Sequence, residues 1–340
     1  MSDDRRIISV GVIGVGSMGQ QHARIMASLP GVRLVGVADA NSGQATTIAG
    51  RYGAKAFEDY RQLLESVEAV SIAAPTALHH AIGMECLRRK VHVLMEKPLA
   101  GSVREAKELA EAASEAGKVL QVGHVERFNP TFTEMAKVLA NERLLALEAR
   151  RLSPFVQRAA DVSAVLDLMV HDLDLALKLV DSSVAQVQAV GLRARVACID
   201  HATAHIRFDN GVVASLTASK ISQQKVREIT AICEECVVQA DLLARTVVVH
   251  RQATSDFQAR NERVLYRQEG LVEQVYVPMV EPLYAELEQF IQCVRTGQQP
   301  LVGAEDAIRV LELAEAIEKA AEASVATPRR APAKQKQAKP

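Results

Sequence analysis

Lys97 stands in Met95-Glu96-Lys97-Pro98, directly after the apolar run Val91 to Leu94. The order acid, amine, proline puts Lys97 at the end of a strand, ahead of a helical segment that begins near Ser102. In an open α/β sheet, ligands bind at the carboxyl ends of the strands. A lysine held there beside a glutamate is therefore a candidate catalytic group. The Lys97-Pro98 bond has only a small trans preference, so a cis form is open to it. Further along, a helical pattern over Val165 to Val180 contains Asp167, His171, Asp172 and Asp174. On a helix Asp167 and His171 are i and i+4 and share one face. Were these groups to act on an alcohol, they would offer a base for the hydroxyl proton and a cation for the developing alkoxide, and a hydride acceptor would have to come from elsewhere in the chain. His171 titrates near neutrality and could be the base while Lys97 polarises the oxygen. Alternatively, burial beside positive charge depresses Lys97 until it serves as the base itself. The residues leave that choice open, and Asp167 would orient one or the other. No metal is required, because a cationic lysine can stabilise the alkoxide.

The hydride acceptor is implied near the N-terminus. Ile7 to Ile13 reads as a buried parallel strand and feeds Gly14-Val15-Gly16-Ser17-Met18-Gly19, after which Gln20 to Leu29 is helical. Strand, glycine turn and helix in this order form the dinucleotide fingerprint: Gly14 for the tight turn, Gly16 for approach of a pyrophosphate, Gly19 for close helix packing. The phosphates would meet free N–H groups at the positive helix end, beside Ser17 and Met18. The next strand, Val32 to Asp39, ends in an acid about twenty positions on, placed to accept from ribose hydroxyls and to repel a 2′-phosphate. NAD is expected rather than NADP.

These groups need a rim to stand on. Helix and strand patterns alternate from Ser42 to Val122, and such alternation implies right-handed crossovers in a doubly wound parallel sheet. Pro75-Thr76 and Glu96-Lys97 both fall at strand ends on the rim of the glycine turn, along the cofactor path. His79 and His80 open the following helix, where one could face the rim, though solvation is the plainer expectation. Gly123-His124-Val125-Glu126-Arg127-Phe128-Asn129-Pro130 is polar and loop-like, and it marks the exit from a nucleotide domain over 1–123. His124, Arg127 and Phe128 are candidate substrate contacts there. A second, α+β domain is expected over 124–325. It has a helix over Thr131 to Ala140, a strand over Arg143 to Leu152, a loop with Arg158, and mainly antiparallel strands to His250, with Asn210-Gly211 as a hairpin turn. Helices over Glu281 to Thr296 and Ala304 to Ala321 close it. One face of such a large sheet needs cover, which a second copy of the chain would supply. The tail 326–340, rich in Pro, Ala, Lys and Arg, is read as disordered.

With 340 residues and a net charge of -1, the chain is long enough for two cores and offers no electrostatic case for nucleic acid or a membrane surface. No apolar run approaches a membrane span, and no signal peptide is evident, so a cytoplasmic location is expected. Five scattered cysteines suit reduced thiols. Cys233-Glu234-Glu235-Cys236 has redox or half-zinc spacing but lacks a second pair, and it reads as part of a strand.

The glycine turn, Glu96-Lys97-Pro98 and the Asp167/His171 pair together resemble the Gfo/Idh/MocA oxidoreductase family, over the whole chain except the basic tail. The resemblance implies a Rossmann domain, an open-faced substrate domain, tightly held NAD, and homodimers or homotetramers built through the large sheet. It also makes Lys97 the catalytic lysine, with His171 and Asp167 as partners. The stretches Gly123 to Pro130 and Val165 to Asp174 resemble the branch that oxidises the sugar 3-hydroxyl of UDP-N-acetylglucosamine, whose product passes to an aminotransferase in lipid A assembly. A nucleotide-sugar substrate needs cations for its diphosphate, and Arg127, Arg151, Arg158, Lys220 and Arg227 are candidates. Two other readings stand beside this one: a dehydrogenase of a free polyol such as an inositol, and a non-catalytic NAD-binding regulator.

Overall fold

The computed structural model describes residues 6–156, 161–260 and 263–325. Arg158 and the basic tail lie outside them. Six short strands, β1 (Ile8–Ile13), β2 (Val32–Ala38), β3 (Lys55–Phe57), β4 (Ala69–Ile72), β5 (His92–Glu96) and β6 (Leu120–Gly123), form one parallel sheet in the order β3-β2-β1-β4-β5-β6. The direction of winding reverses between β1 and β4, and the crevice beyond the strand ends at that point is where doubly wound sheets bind ligands. Both faces are covered, which explains why β4 is buried at every position and its sequence shows no alternation. The helices α1 (Ser17–Met26), α2 (Ser42–Tyr52), α3 (Tyr60–Leu63), α4 (His79–Arg88) and α5 (Val103–Ala116) make the crossovers. Local chemistry sets their limits. The Asn41 side chain accepts the Gln44 N–H to start α2, and Gly53 ends it in the left-handed region at φ 65°.

The second sheet has eight strands: β7 (Leu144–Leu152), β8 (Val184–Leu192), β9 (His201–Phe208), β10 (Val213–Ser219), β11 (Val226–Cys233), β12 (Cys236–Asp241), β13 (Thr246–Arg260) and β14 (Arg263–Val275). Their order is β14-β13-β12-β11-β7-β10-β9-β8, antiparallel throughout except for the parallel pair β7 and β10. Alternation sets the faces: Ala202, Ala204, Ile206 and Phe208 of β9 are buried, and the residues between them point away. The buried face packs on α6 (Pro130–Leu139), α7 (Val170–Val180) and part of α9 (Ala304–Ala323).

Three differences from the sequence expectation have physical causes. The helix expected over Val165 to Val180 opens as a wide π-type turn, Val165–Met169, before α7 begins. The β13 strand runs well past His250 and a further strand, β14, returns beside it; beyond His250 neither shows the regular apolar alternation by which strands are read. The last helices also serve both units. In α8 (Pro282–Thr296), Leu283, Leu287, Phe290 and Ile291 share a core with Ile8, Val10 and Met26, and α9 places Ala307 in the first unit's core and Ile317 in the second's. A boundary at residue 123 therefore separates the sheets rather than the cores. Cys233 and Cys236 sit in the second core, and burial pushes the Cys233 thiol up to about 12, which suppresses thiolate chemistry. Among the described residues no helix is long and apolar enough to cross a membrane.

Candidate active site

At the crevice the three glycines of the turn have separate duties. Gly14 has φ +83°, and a side chain there would also place its first carbon 2.7 Å from the Ala73 carbonyl oxygen. A carbon added to Gly19 would overlap the Gly14 carbonyl oxygen, so that glycine sets how closely α1 approaches β1. Gly16 faces open space, with nothing within 4 Å of such a carbon. Gly16, Ser17 and Met18 are exposed at the start of α1, whose first turn carries no acid. An open cradle at the positive end of a helix fits a pyrophosphate. Asp39 follows β2, and its carboxylate accepts the Val15 N–H at 2.8 Å and the Asn41 N–H at 2.9 Å. A carboxylate has about four acceptor sites, so capacity remains for ribose hydroxyls. Gly14, Gly16, Asp39, Gln44 and Pro75 line one cleft, and Thr76 opens a short 3-10 turn at its edge. His79 is not solvated as expected. Its ring is buried, with nitrogens 2.8 Å from the Pro98 carbonyl oxygen and 2.9 Å from that of Ala74, so it ties the rim together. His80 turns outward to Glu108.

Lys97 projects from the end of β5, and its bond to Pro98 is cis. Its Nζ donates to the Asp167 carbonyl oxygen at 2.9 Å and lies 3.9 Å from Asp167 Oδ1. Asp167 Oδ2 in turn pairs with Lys220 at 3.0 Å, and Lys220 also donates to the Val162 carbonyl at 2.7 Å. Burial lowers the pKa of Lys97, and the negative charges of Asp167 and Glu96 only partly oppose it. His171 is held well below its ordinary range by burial first, then by the charges of Lys97 and Arg151. Its Nδ1 is buried without a hydrogen-bond partner, as is that of His124, whose pKa burial also lowers. The wide turn that holds Asp167 and the start of α7 that holds His171 thus converge on the lysine.

Other candidates have different partners. Arg127 is buried, and its Nε and Nη2 donate to the two carboxylate oxygens of Asp174, each at 2.8 Å. Arg151 does the same with Asp172 and also reaches Glu126 at 2.8 Å. Arg227 donates to the Leu152 and Val226 carbonyls and to Ser153 Oγ. Phe128 belongs to the core of the first unit. A guanidinium in the interior needs carboxylate or carbonyl partners, and Arg127 and Arg151 have them, while the partly buried Arg227 also finds partners within the protein. Sequence reasoning missed His22. It lies on the buried face of α1, with Nε2 3.0 Å from Glu96 Oε1 and Nδ1 2.6 Å from Ser71 Oγ. The only signal was a histidine on the helix face that otherwise turns apolar residues to the sheet.

A family model described as an oxidoreductase family with an NAD-binding Rossmann fold matches residues 8–124, and the GFO/IDH/MocA C-terminal domain model matches residues 133–239. The chain belongs to the Gfo/Idh/MocA oxidoreductase family. It is therefore an NAD-binding oxidoreductase, as the glycine turn and Asp39 imply. It is 37% identical over 245 residues to UDP-N-acetylglucosamine 3-dehydrogenase of Acidithiobacillus ferrooxidans, covering 72% of this chain and 77% of that protein. The solved structure of that dehydrogenase matches with a TM-score of 0.84 at 32% identity, over 93% of this chain and 98% of that one. Myo-inositol 2-dehydrogenase of Thermotoga maritima is 26% identical over 330 residues, 92% of this chain and 96% of that protein.

Proposed function

We propose that this protein is an NAD-dependent dehydrogenase that oxidises the sugar 3-hydroxyl of UDP-N-acetylglucosamine to the 3-keto nucleotide sugar, a product suited to an aminotransferase of the lipid A type of pathway. The observation that carries this reading is the likeness, over nearly the whole fold, to the Acidithiobacillus enzyme, joined to the convergence of Lys97, Asp167 and His171 at the strand-end rim. Gly14, Gly16, Asp39 and Pro75 would hold the cofactor, which when bound supplies the hydride acceptor. The proton falls to the protein. His171 is a weak base, since burial and neighbouring cations keep it neutral. Lys97 starts from a much higher pKa, and burial lowers it, which makes its neutral amine more available as a base. Lys97 therefore takes the hydroxyl proton, His171 orients the hydroxyl as a neutral hydrogen-bonding partner, and Asp167 holds the amine in place.

One observation favours the second reading, a free polyol such as an inositol. The described cations proposed for the diphosphate, Arg127, Arg151, Lys220 and Arg227, all have partners within the protein. The two readings separate on mixing protein and NAD with UDP-N-acetylglucosamine, myo-inositol or glucose, following NADH absorbance with an aminotransferase present to draw off ketone. The nucleotide sugar is expected to give signal, and Lys97→Ala to lower it by about 10²–10⁴-fold. Signal from the polyols alone moves the assignment to the second reading, and silence in every well with NAD bound restores the regulator.

A further inference from the structure

His22 lies on α1, the helix whose N-terminus faces the cofactor cleft, yet its ring points the other way, into the sheet. The ring is fully buried, and so is Ser71 in β4. A buried imidazole is costly unless both nitrogens are satisfied. With the proton on Nε2, both are: Nε2–H donates to Glu96 Oε1 at 3.0 Å, and the Ser71 hydroxyl donates to Nδ1 at 2.6 Å. The second Glu96 oxygen, Oε2, accepts the backbone N–H of Lys97 at 3.1 Å. Serine, histidine and carboxylate in line have the composition of a nucleophilic triad. Ser71 is sealed inside the sheet, however, so no substrate reaches it and acyl transfer is excluded. What remains is a continuous set of contacts across α1, β4 and β5 that ends on the backbone of the lysine.

We propose that His22 is a positioning residue for Lys97: seated by Ser71, it fixes the Glu96 carboxylate as the brace of the strand end from which the lysine projects. The proposal rests on the reading of Lys97 as the group that exchanges the hydroxyl proton. The charged and titratable groups around the lysine are Glu96 at the end of β5, Asp167 in the wide turn, His171 on α7, His124 after β6, Arg151 on β7 and Lys220 after β10. Those acting with Glu96 are His22, Lys97, Glu286 of α8 and His124 after β6. Burial favours the neutral acid of Glu96, and the His22 hydrogen bond is the first effect opposing it. With His22 removed, Glu96 tends toward the neutral acid and no longer favours the ammonium. Lys97 then titrates at lower pH.

Competitive acylation of the Lys97 amine across a pH range, read by mass spectrometry on the cofactor-free protein, measures that titration without turnover. His22→Leu is expected to lower the Lys97 midpoint by about one pH unit and to move the acid limb of the kcat profile with it, while KM for NAD stays within about twofold. His22→Gln, whose amide nitrogen can still donate to Glu96, is expected to restore both the midpoint and most of kcat. Ser71→Ala should shift the midpoint in the same direction by less, and it carries the test if His22→Leu does not fold. An unmoved midpoint in His22→Leu or in Ser71→Ala, or a His22→Gln protein as altered as His22→Leu, overturns the proposal. Lys97→Met serves as the control: activity retained there removes the role given to Lys97 in turnover, while the brace stands or falls on the labelling alone.

Discussion

Gly16 and Gly19 are the same residue three positions apart, and a single methyl group separates what they do. At position 16 it would enter open space, the volume assigned to the cofactor's pyrophosphate; at 19 it would overlap the Gly14 carbonyl. Gly16→Ala is therefore expected to cost no more than about 1 kcal/mol of stability while weakening NAD by about tenfold or more. Gly19→Ala should cost about 1–3 kcal/mol or more through overpacking. Thermal unfolding with and without NAD checks both. The first variant should keep its melting temperature and lose the rise on adding NAD, and the second should melt early; the reverse pattern would refute the cradle. Arg127 makes a second residue-scale case. Arg127→Leu leaves the buried Asp174 carboxylate uncompensated, which typically costs about 3–5 kcal/mol. Urea denaturation should show that loss, with part recovered in the double variant Arg127→Leu/Asp174→Leu. Full stability with weakened UDP binding would instead return Arg127 to the substrate.

At the scale of elements, β5 carries its chemistry at one end and a pH-sensitive tie at the other. His92 Nδ1 accepts the Val119 N–H at 3.0 Å, and burial first, then Lys118, pushes its pKa down to about 4. In the unfolded chain the same ring titrates near 6.5. Between these values, as pH falls, the unfolded state takes up a proton that the folded state refuses, so stability drops from about pH 6.5 toward about pH 4 and levels off below. In His92→Asn the amide oxygen can still accept from Val119 but does not titrate. Its melting temperature should fall between about pH 7 and pH 5 by about 2 °C less than that of the parent protein; an equal fall would show that His92 does not set the slope. How far such elements are legible in sequence depends on what each buries. Strands β1 and β5 announce themselves as short, mainly apolar runs, and the glycine turn as a spacing, so the parallel sheet, its strand-end rim and the place of Lys97 on it could be read directly. The wide turn at Val165–Met169 could not, because a π-type and an α-helical turn share one apolar pattern. The β13–β14 hairpin was legible only from Thr246 to His250, because beyond that its apolar residues do not alternate regularly. The partners of Arg127, Arg151 and His22 come from other elements, Asp174 and Asp172 on α7 and Glu96 on β5, and no local pattern encodes a contact that only the packing creates.

At the scale of the whole molecule, the eight-stranded sheet turns one face away from its helices. Register puts Val190, Thr203, His205, Arg207, Val213 and Thr217 on that face. Val190 and Val213 are 57% and 48% exposed. The polar groups there are already partly arranged: Arg150 pairs with Glu228, Thr203 with Thr217, and His250 with Gln239. An open sheet face with paired charges and exposed valines suits a second copy better than a lipid or a nucleic acid. The net charge of -1 offers those partners nothing. A two-fold arrangement is the commonest closed solution, because the same patch then serves both copies. We therefore expect light scattering on a sizing column to report a dimer or tetramer of the 36.9 kDa chain. Val213→Glu combined with Ser215→Glu, both on the interior strand β10, should shift it to the monomer by placing like charges against each other, with secondary structure unchanged by circular dichroism. A single-chain mass for the parent protein at about 50 µM, well above the dissociation constant of a stable interface of ordinary size, would mean that this face is solvated. The site would then be complete within one copy.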